Sequence, residues 1–68
     1  MKAQKIFGVN VKKKRRELGL SQEQLAEKIE RDPRSIVAIE AGNRNATFST
    51  IYKLCLALKV KASELLPF

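Results

Sequence analysis

Asp32-Pro33-Arg34-Ser35, with Val37 and Ala38 just behind, holds the residues of this 68-residue chain best suited to chemistry. That chemistry is the recognition of base edges. A planar guanidinium such as that of Arg34 can donate two parallel hydrogen bonds to O6 and N7 of guanine, an arrangement worth about 1–3 kcal/mol of discrimination. The simpler alternative is an arginine held only against phosphate. Ser35 can donate or accept, so it separates bases poorly. Val37 and Ala38 suit the methyl group of thymine. Pro33 has no backbone proton to give, and its preset φ suits the first position of a helix. Ser21-Gln22 is a second polar pair, at the start of another expected helix. Exposed N–H groups there, with the Gln22 amide, can hold a phosphate oxygen. Otherwise Gln22 is an ordinary polar first-turn residue.

Nothing comparable supports catalysis. The chain has no histidine and a single cysteine. It has no paired carboxylates at a plausible site and no glycine-rich phosphate loop. Neither an enzymatic activity nor a cofactor is expected, and the ligands of a zinc site are missing. Cys55 has no partner for an internal disulfide. Flanked by Leu54 and Leu56, it reads as a small apolar core residue in preference to a redox sensor.

Charge narrows the partners. Fourteen Lys and Arg against seven Asp and Glu give a net charge of +7 and a pI near 10.0. A small basic domain attracts a polyanion: DNA, RNA or an anionic membrane surface. Lys12 to Arg16 is an unbroken basic run. Lys12, Lys13, Lys14 and Arg16 are expected to supply long-range attraction, with Lys13 touching the DNA backbone. Arg15 is the exception, because it shares an apolar stripe and must find an inward partner. Glu40 is the best candidate. No signal-peptide run and no stretch of about 20 apolar residues is present, so a cytoplasmic location is expected.

The elements that position these residues follow from punctuation. One domain, residues 1–68, is expected, all-α with five helices at about 4–18, 22–29, 33–41, 48–58 and 62–66. Met1 to Lys5 is expected to fray. Phe7, Val11, Arg15 and Leu18 fall at steps of four, four and three, one helical stripe. Gly19 suits the left-handed residue beyond a helix end. Ser21 with Gln24 makes a capping box. Leu25, Ala26 and Ile29 then face inward. Asp32 caps the third helix, Ile36 and Ile39 face inward, and Gly42 ends it. Thr47 caps a fourth helix whose stripe is Phe48, Ile51, Leu54, Cys55 and Leu58.

In this register the chain resembles the small helix-turn-helix repressors typified by phage Cro and repressor DNA-binding domains. Among them it is most similar to the stand-alone controller proteins of restriction–modification systems. The matching residues are Phe7-Gly8, Val11, Arg15, Gly19-Leu20-Ser21-Gln22-Glu23, Leu25-Ala26, Ile36 and Ile39-Glu40. Gly42, Arg44-Asn45, Thr47, Ile51, Leu54-Cys55, Ala57-Leu58 and Ala62-Ser63 continue the match. The resemblance implies a five-helix, lambda-repressor-like domain with its helix-turn-helix at 22–41. It implies a homodimeric transcriptional regulator on a palindromic DNA operator, bacterial or phage-borne and nucleoid-associated when bound. RNA polymerase is a candidate further partner. The resemblance places Pro33, Arg34, Ser35 and Ala38 toward base edges and Gln22 toward the DNA backbone. It puts Asn43 and Arg44 near phosphates and makes Arg15 and Glu40 an ion pair. Three positions depart from the pattern. Glutamate stands at Glu30 where the turn favours glycine, arginine stands at Arg31 where an apolar residue is usual, and Ala41 replaces a basic residue.

Leu56 falls off the inward stripe of the fourth helix. With Leu65 and Phe68 it is expected to form the self-association surface. An antitoxin of the same fold is the nearest rival function. It would bind a toxin as well as its own promoter, and no extra tail for wrapping a toxin is expected here. A membrane-surface peptide would need a broader apolar face on the first helix. RNA binding would need aromatic residues free to stack, and Phe7 and Phe48 are expected in the core.

Overall fold

Five helices and no strand make up the described residues of the computed structural model, which are residues 2–67, with Lys2 described in its backbone alone. They are α1 (Lys2–Glu17), α2 (Gln22–Lys28), α3 (Pro33–Glu40), α4 (Phe48–Leu58) and α5 (Ala62–Leu65). The expected starts of α2, α3 and α4 are all seen. Ser21 Oγ accepts from the Gln24 N–H at 3.0 Å, and Gln24 Oε1 accepts from the Ser21 N–H at 2.8 Å. Asp32 Oδ1 accepts from the Arg34 N–H at 2.8 Å. Thr47 Oγ1 accepts from the Thr50 N–H at 3.2 Å. Each bond satisfies a donor that has no partner inside its helix. The first helix starts earlier than expected: residues 2–5 are helical. Met1 lies outside the described residues.

The core is Phe7 and Val11 from α1, Leu25, Ala26 and Ile29 around α2, Ile36 and Ile39 from α3, Leu54 and Leu58 from α4, and Leu65 from α5. Every layer therefore touches α3 or the helices that hold it. Gly8 explains how α1 comes so close to the end of α3. A Cβ built there would lie 2.2 Å from the Ile39 carbonyl oxygen, so only glycine leaves room. Asn10 Nδ2 donates to the Leu65 carbonyl at 3.2 Å, and Lys14 Nζ lies 3.4 Å from Glu64, which ties α5 to α1.

Glu30 adopts φ 58° in the turn between α2 and α3. The turn keeps its left-handed geometry although the residue is not glycine. The unfavourable contact between Cβ and carbonyl oxygen costs on the order of 1 kcal/mol.

Three apolar expectations need correction. Leu18 is exposed, because α1 ends at Glu17 and the stripe no longer projects inward beyond it. Leu20 packs against the core in its place. Phe48 is 91 % exposed rather than buried. The inward side of α4 is centred on Leu54 and flanked by Thr50 and Leu58. At about 100° per residue, Phe48 falls far round from that centre. Leu65 is fully buried within the chain and offers no surface to a partner. Phe68 lies outside the described residues.

Candidate nucleic-acid interface

A short helix must be held rigid before it can read anything, and α3 is held on its inner side. Ile36 and Ile39 are almost wholly enclosed by the core. At its carboxyl end, Glu40 takes a fork from Arg15, with Nε to Oε2 at 2.7 Å and Nη2 to Oε1 at 3.0 Å. Arg15 Nη1 also donates to the Leu20 carbonyl at 2.7 Å, which fastens the loop before α2. The hydrogen-bonded carboxylate raises the Arg15 pKa above its ordinary value, against the opposing effect of burial. The side chains are 9 % and 3 % exposed, so the pair is almost wholly enclosed.

Gln22 joins the same cluster. Its Nε2 donates to Glu40 Oε1 at 3.1 Å. The amide thus braces the first turn of α2 against the last turn of α3. An amide nitrogen carries two protons, so this bond and a phosphate contact are compatible. The intramolecular partner could not be read from the sequence, because eighteen residues separate the two side chains.

The outer side of α3 is open. Arg34 and Val37 are exposed, while Ser35 and Ala38 are half-buried on the flank. Arg34 projects with its side chain 91 % exposed and pairs with the Asp32 cap, Nε to Oδ1 at 3.0 Å and Nη2 to Oδ2 at 3.1 Å. This pairing was not expected. Asp32 is correspondingly acidic, lowered to about 2, first by the Arg34 side chain and then by the Arg34 backbone N–H.

Beyond α3 the chain turns through exposed Asn43, Arg44 and Asn45. Arg44 reaches back, and its Nη1 donates to Ser35 Oγ at 2.9 Å. A residue expected at phosphates and one expected at bases therefore share one surface. Gln4 Nε2 donates to Asn45 Oδ1 and anchors the loop to α1. Arg31 lines a cleft of about 180 Å³ together with Ser35, Arg44, Asn45, Thr47 and Thr50. Its Nη2 donates to Thr50 Oγ1 at 3.3 Å. The sequence reading treated Arg31 only as a departure, yet it adds a second guanidinium beside Arg44.

Lys13 is exposed on α1, grouped with Val9, Lys12, Arg16 and Glu17 rather than with Arg34 and Arg44. Ser21 Oγ is used by its cap, as described. Cys55 is half-buried and its thiol is pushed up by burial, which disfavours the reactive thiolate. Among the described residues no cluster of His, Cys, Asp or Glu suits a metal ion, and no helix is long and apolar enough to cross a membrane.

A propped short helix with an open polar flank, following a capped helix across a tight turn, defines a helix-turn-helix DNA-binding domain. The profile of the helix-turn-helix family matches residues 11–65, and the chain belongs to that family. It is 37 % identical over 65 residues to the HTH-type transcriptional regulator y4dJ of Sinorhizobium fredii (strain NBRC 101917 / NGR234), covering 96 % of this chain and 84 % of that one. Among solved structures it is similar to the restriction–modification controller protein C.AhdI from Aeromonas hydrophila. There the TM-score is 0.91 at 34 % identity, over 96 % of this chain and 98 % of that one. A hypothetical transcription factor, NHTF, from Neisseria superposes with a TM-score of 0.89 at 33 % identity, over 94 % of this chain and 74 % of that one. The chain is a helix-turn-helix transcriptional regulator of the Cro and phage-repressor type, structurally like the controller proteins, and not an enzyme.

Proposed function

We propose that the chain binds a roughly palindromic operator as a homodimer and regulates transcription by occupying it, in the manner of a restriction–modification controller. The observation that carries this reading is the one-sided burial of α3. Ile36 and Ile39 are enclosed, while Arg34 and Val37 stand outward. Arg34 reads a guanine, and Ser35, Val37 and Ala38 add lesser contacts to neighbouring base edges. Ser21, Gln22, Asn43 and Arg44 meet the backbone, and Lys13, on the separate basic patch of α1, adds attraction to the flanking duplex, all without selectivity. RNA polymerase is a further partner where the bound site adjoins a promoter, and the site of action is the cytoplasm.

Self-association uses the outer ridge of α4. Phe48, Tyr52 and Leu56 are 91 %, 65 % and 62 % exposed and follow one another at steps of four. Three large apolar side chains in one row are more than an isolated surface leucine requires. Two-fold symmetry through this ridge would place the two α3 helices about one DNA turn, ~34 Å, apart.

Selection of bound sequences from a random duplex pool tests the reading. An inverted repeat is expected, with Arg34→Ala relaxing one position in each half. Lys13→Ala should weaken all duplexes about equally. A dimer that neutralises about 6–10 phosphates should lose ~10³–10⁵ in affinity between 50 and 200 mM salt. An Arg34→Ala variant that selects the unaltered sequence would overturn the assignment of that residue. For the dimer, sedimentation should give twice the 7.7 kDa chain mass. Leu56→Asp should shift it toward monomer, and a monomer that still binds the full operator tightly would exclude this assembly.

A further inference from the structure

We propose that Asp32 is a positioning residue that sets specificity: it grips Arg34 along one edge so that the guanidinium meets a guanine in preference to a phosphate. This rests on the reading of Arg34 as a base contact.

The geometry of the pair leaves the correct edge open. Asp32 Oδ1 accepts from both the backbone N–H and Nε of Arg34, at 2.8 and 3.0 Å, and Oδ2 accepts from Nη2 at 3.1 Å. A guanidinium carries five N–H donors in a rigid fork. The carboxylate takes the side edge, Nε with one Nη2 proton. The end-on edge, Nη1 with the second Nη2 proton, remains for a ligand. Two parallel donors at that spacing match O6 and N7 of guanine. Arg34 can therefore be held and can read at the same time.

Holding it requires little further ordering. Asp32 already has its backbone set as the cap of α3, and its partner lies only two residues on. A free arginine on a flexible stem would instead lose rotamer freedom on docking. The carboxylate is ionised throughout the neutral range, so the grip does not lapse there.

Charge supplies the second half of the effect. Together Arg34 and Asp32 carry no net charge, so the pair gains little from the release of counterions that drives unspecific binding. A carboxylate at the groove also repels phosphate oxygens. An unpaired Arg34 would be attracted to the backbone of any duplex. Affinity for wrong sequences is thereby lowered more than affinity for the right one, where the guanine contact compensates, which is how a repulsive element sharpens selection.

Asp32→Asn separates this role from capping, because asparagine caps helices about as well as aspartate. Binding is measured across a salt series for three duplexes: the selected operator, the operator changed at the base pair read by Arg34, and an unrelated sequence. Asp32→Asn should bind the unrelated duplex more tightly. Its plot of log affinity against log salt should steepen by about 0.9 for each subunit as Arg34 takes up a phosphate. Discrimination between operator and changed operator should fall severalfold. Arg34→Ala, run alongside, should lose about 5- to 150-fold of that discrimination. If Arg34→Ala leaves discrimination intact, the base contact and this proposal both fail. If Arg34→Ala lowers it while Asp32→Asn keeps the native discrimination and salt slope, the base contact stands and the positioning role is refuted. Melting followed by circular dichroism establishes that each variant is folded, and Asp32→Ser, also a good cap, should repeat the Asp32→Asn result.

Discussion

Replacing Glu40 by alanine should remove a large part of this domain's stability, because one carboxylate closes three contacts. It accepts Nε and Nη2 of Arg15 and Nε2 of Gln22. Without it, Arg15 keeps one hydrogen bond, to the neutral Leu20 carbonyl, and the weaker attraction of Glu23, while its charge stays buried. Breaking a buried pair by removing one partner costs about 3–5 kcal/mol. A 68-residue domain has a total stability of ~3–10 kcal/mol at the usual ~0.05–0.15 kcal/mol per residue. The predicted loss therefore runs from about a third of that stability to all of it. Urea titration followed by circular dichroism measures it directly. The paired replacement Arg15→Met with Glu40→Met should recover much of the loss, since apolar side chains of similar volume often substitute for a buried ion pair at little cost. A Glu40→Ala loss below about 1 kcal/mol would show that water reaches the pair in solution and that the brace on α3 lies elsewhere.

Glu30→Gly should stabilise the chain by on the order of 1 kcal/mol, because φ 58° is strained for glutamate and ordinary for glycine. A thermal melt of the variant at or below the native midpoint would contradict this. Gly8→Ala should destabilise by about 1–3 kcal/mol or more, as overpacking does, since its Cβ would meet the Ile39 carbonyl oxygen at 2.2 Å. Denaturant unfolding reads that effect. Acid should weaken the start of α3. The Asp32 pKa is about 2 when folded against 3.8 ordinarily, so its stabilising effect is complete above pH 3.8 and is lost as pH falls toward 2. An Asp32→Asn melt should lack that component of the pH dependence.

Much of this architecture is written in short-range signals. Ser21 with Gln24, Asp32 before Pro33, and Thr47 before α4 each place a hydrogen-bonding side chain within three residues of the donor it caps, so local spacing suffices to locate them. That Arg15 needs an inward partner follows from its place on an apolar stripe, and the family resemblance points to Glu40 as that partner. The failures share the opposite character. Phe48 fits an apolar series with Ile51, and only the packing of Leu54 decides which side of α4 is inward. Gln22 to Glu40 and Arg44 to Ser35 join separate elements, and periodicity within one helix carries no sign of such contacts. The Asp32–Arg34 pair spans a helix start at a spacing of two. The usual three- and four-residue rule for helical side chains does not reach it.

These two kinds of residue divide the work of α3. Eight residues are too few for an isolated helix, since even good helix formers need about 12–15 to be marginally stable in water. Its rigidity is therefore borrowed from α1 and α2 through Ile36, Ile39 and Glu40. On the proposed reading its selectivity resides in Arg34, whose side chain is paired with Asp32 and stands on the open side. A substitution at Gly8 or Arg15 would then weaken DNA binding by loosening the rod, and one at Gln22 by that and by loss of a backbone contact, with the preferred sequence unchanged. One at Asp32 or Arg34 would alter the preference in a domain that still folds. The ratio of operator affinity to unrelated-duplex affinity, measured beside stability, assigns each residue to its side of that division. A Gly8 or Gln22 variant that changed the preferred base at full stability would show that the two functions are not separate.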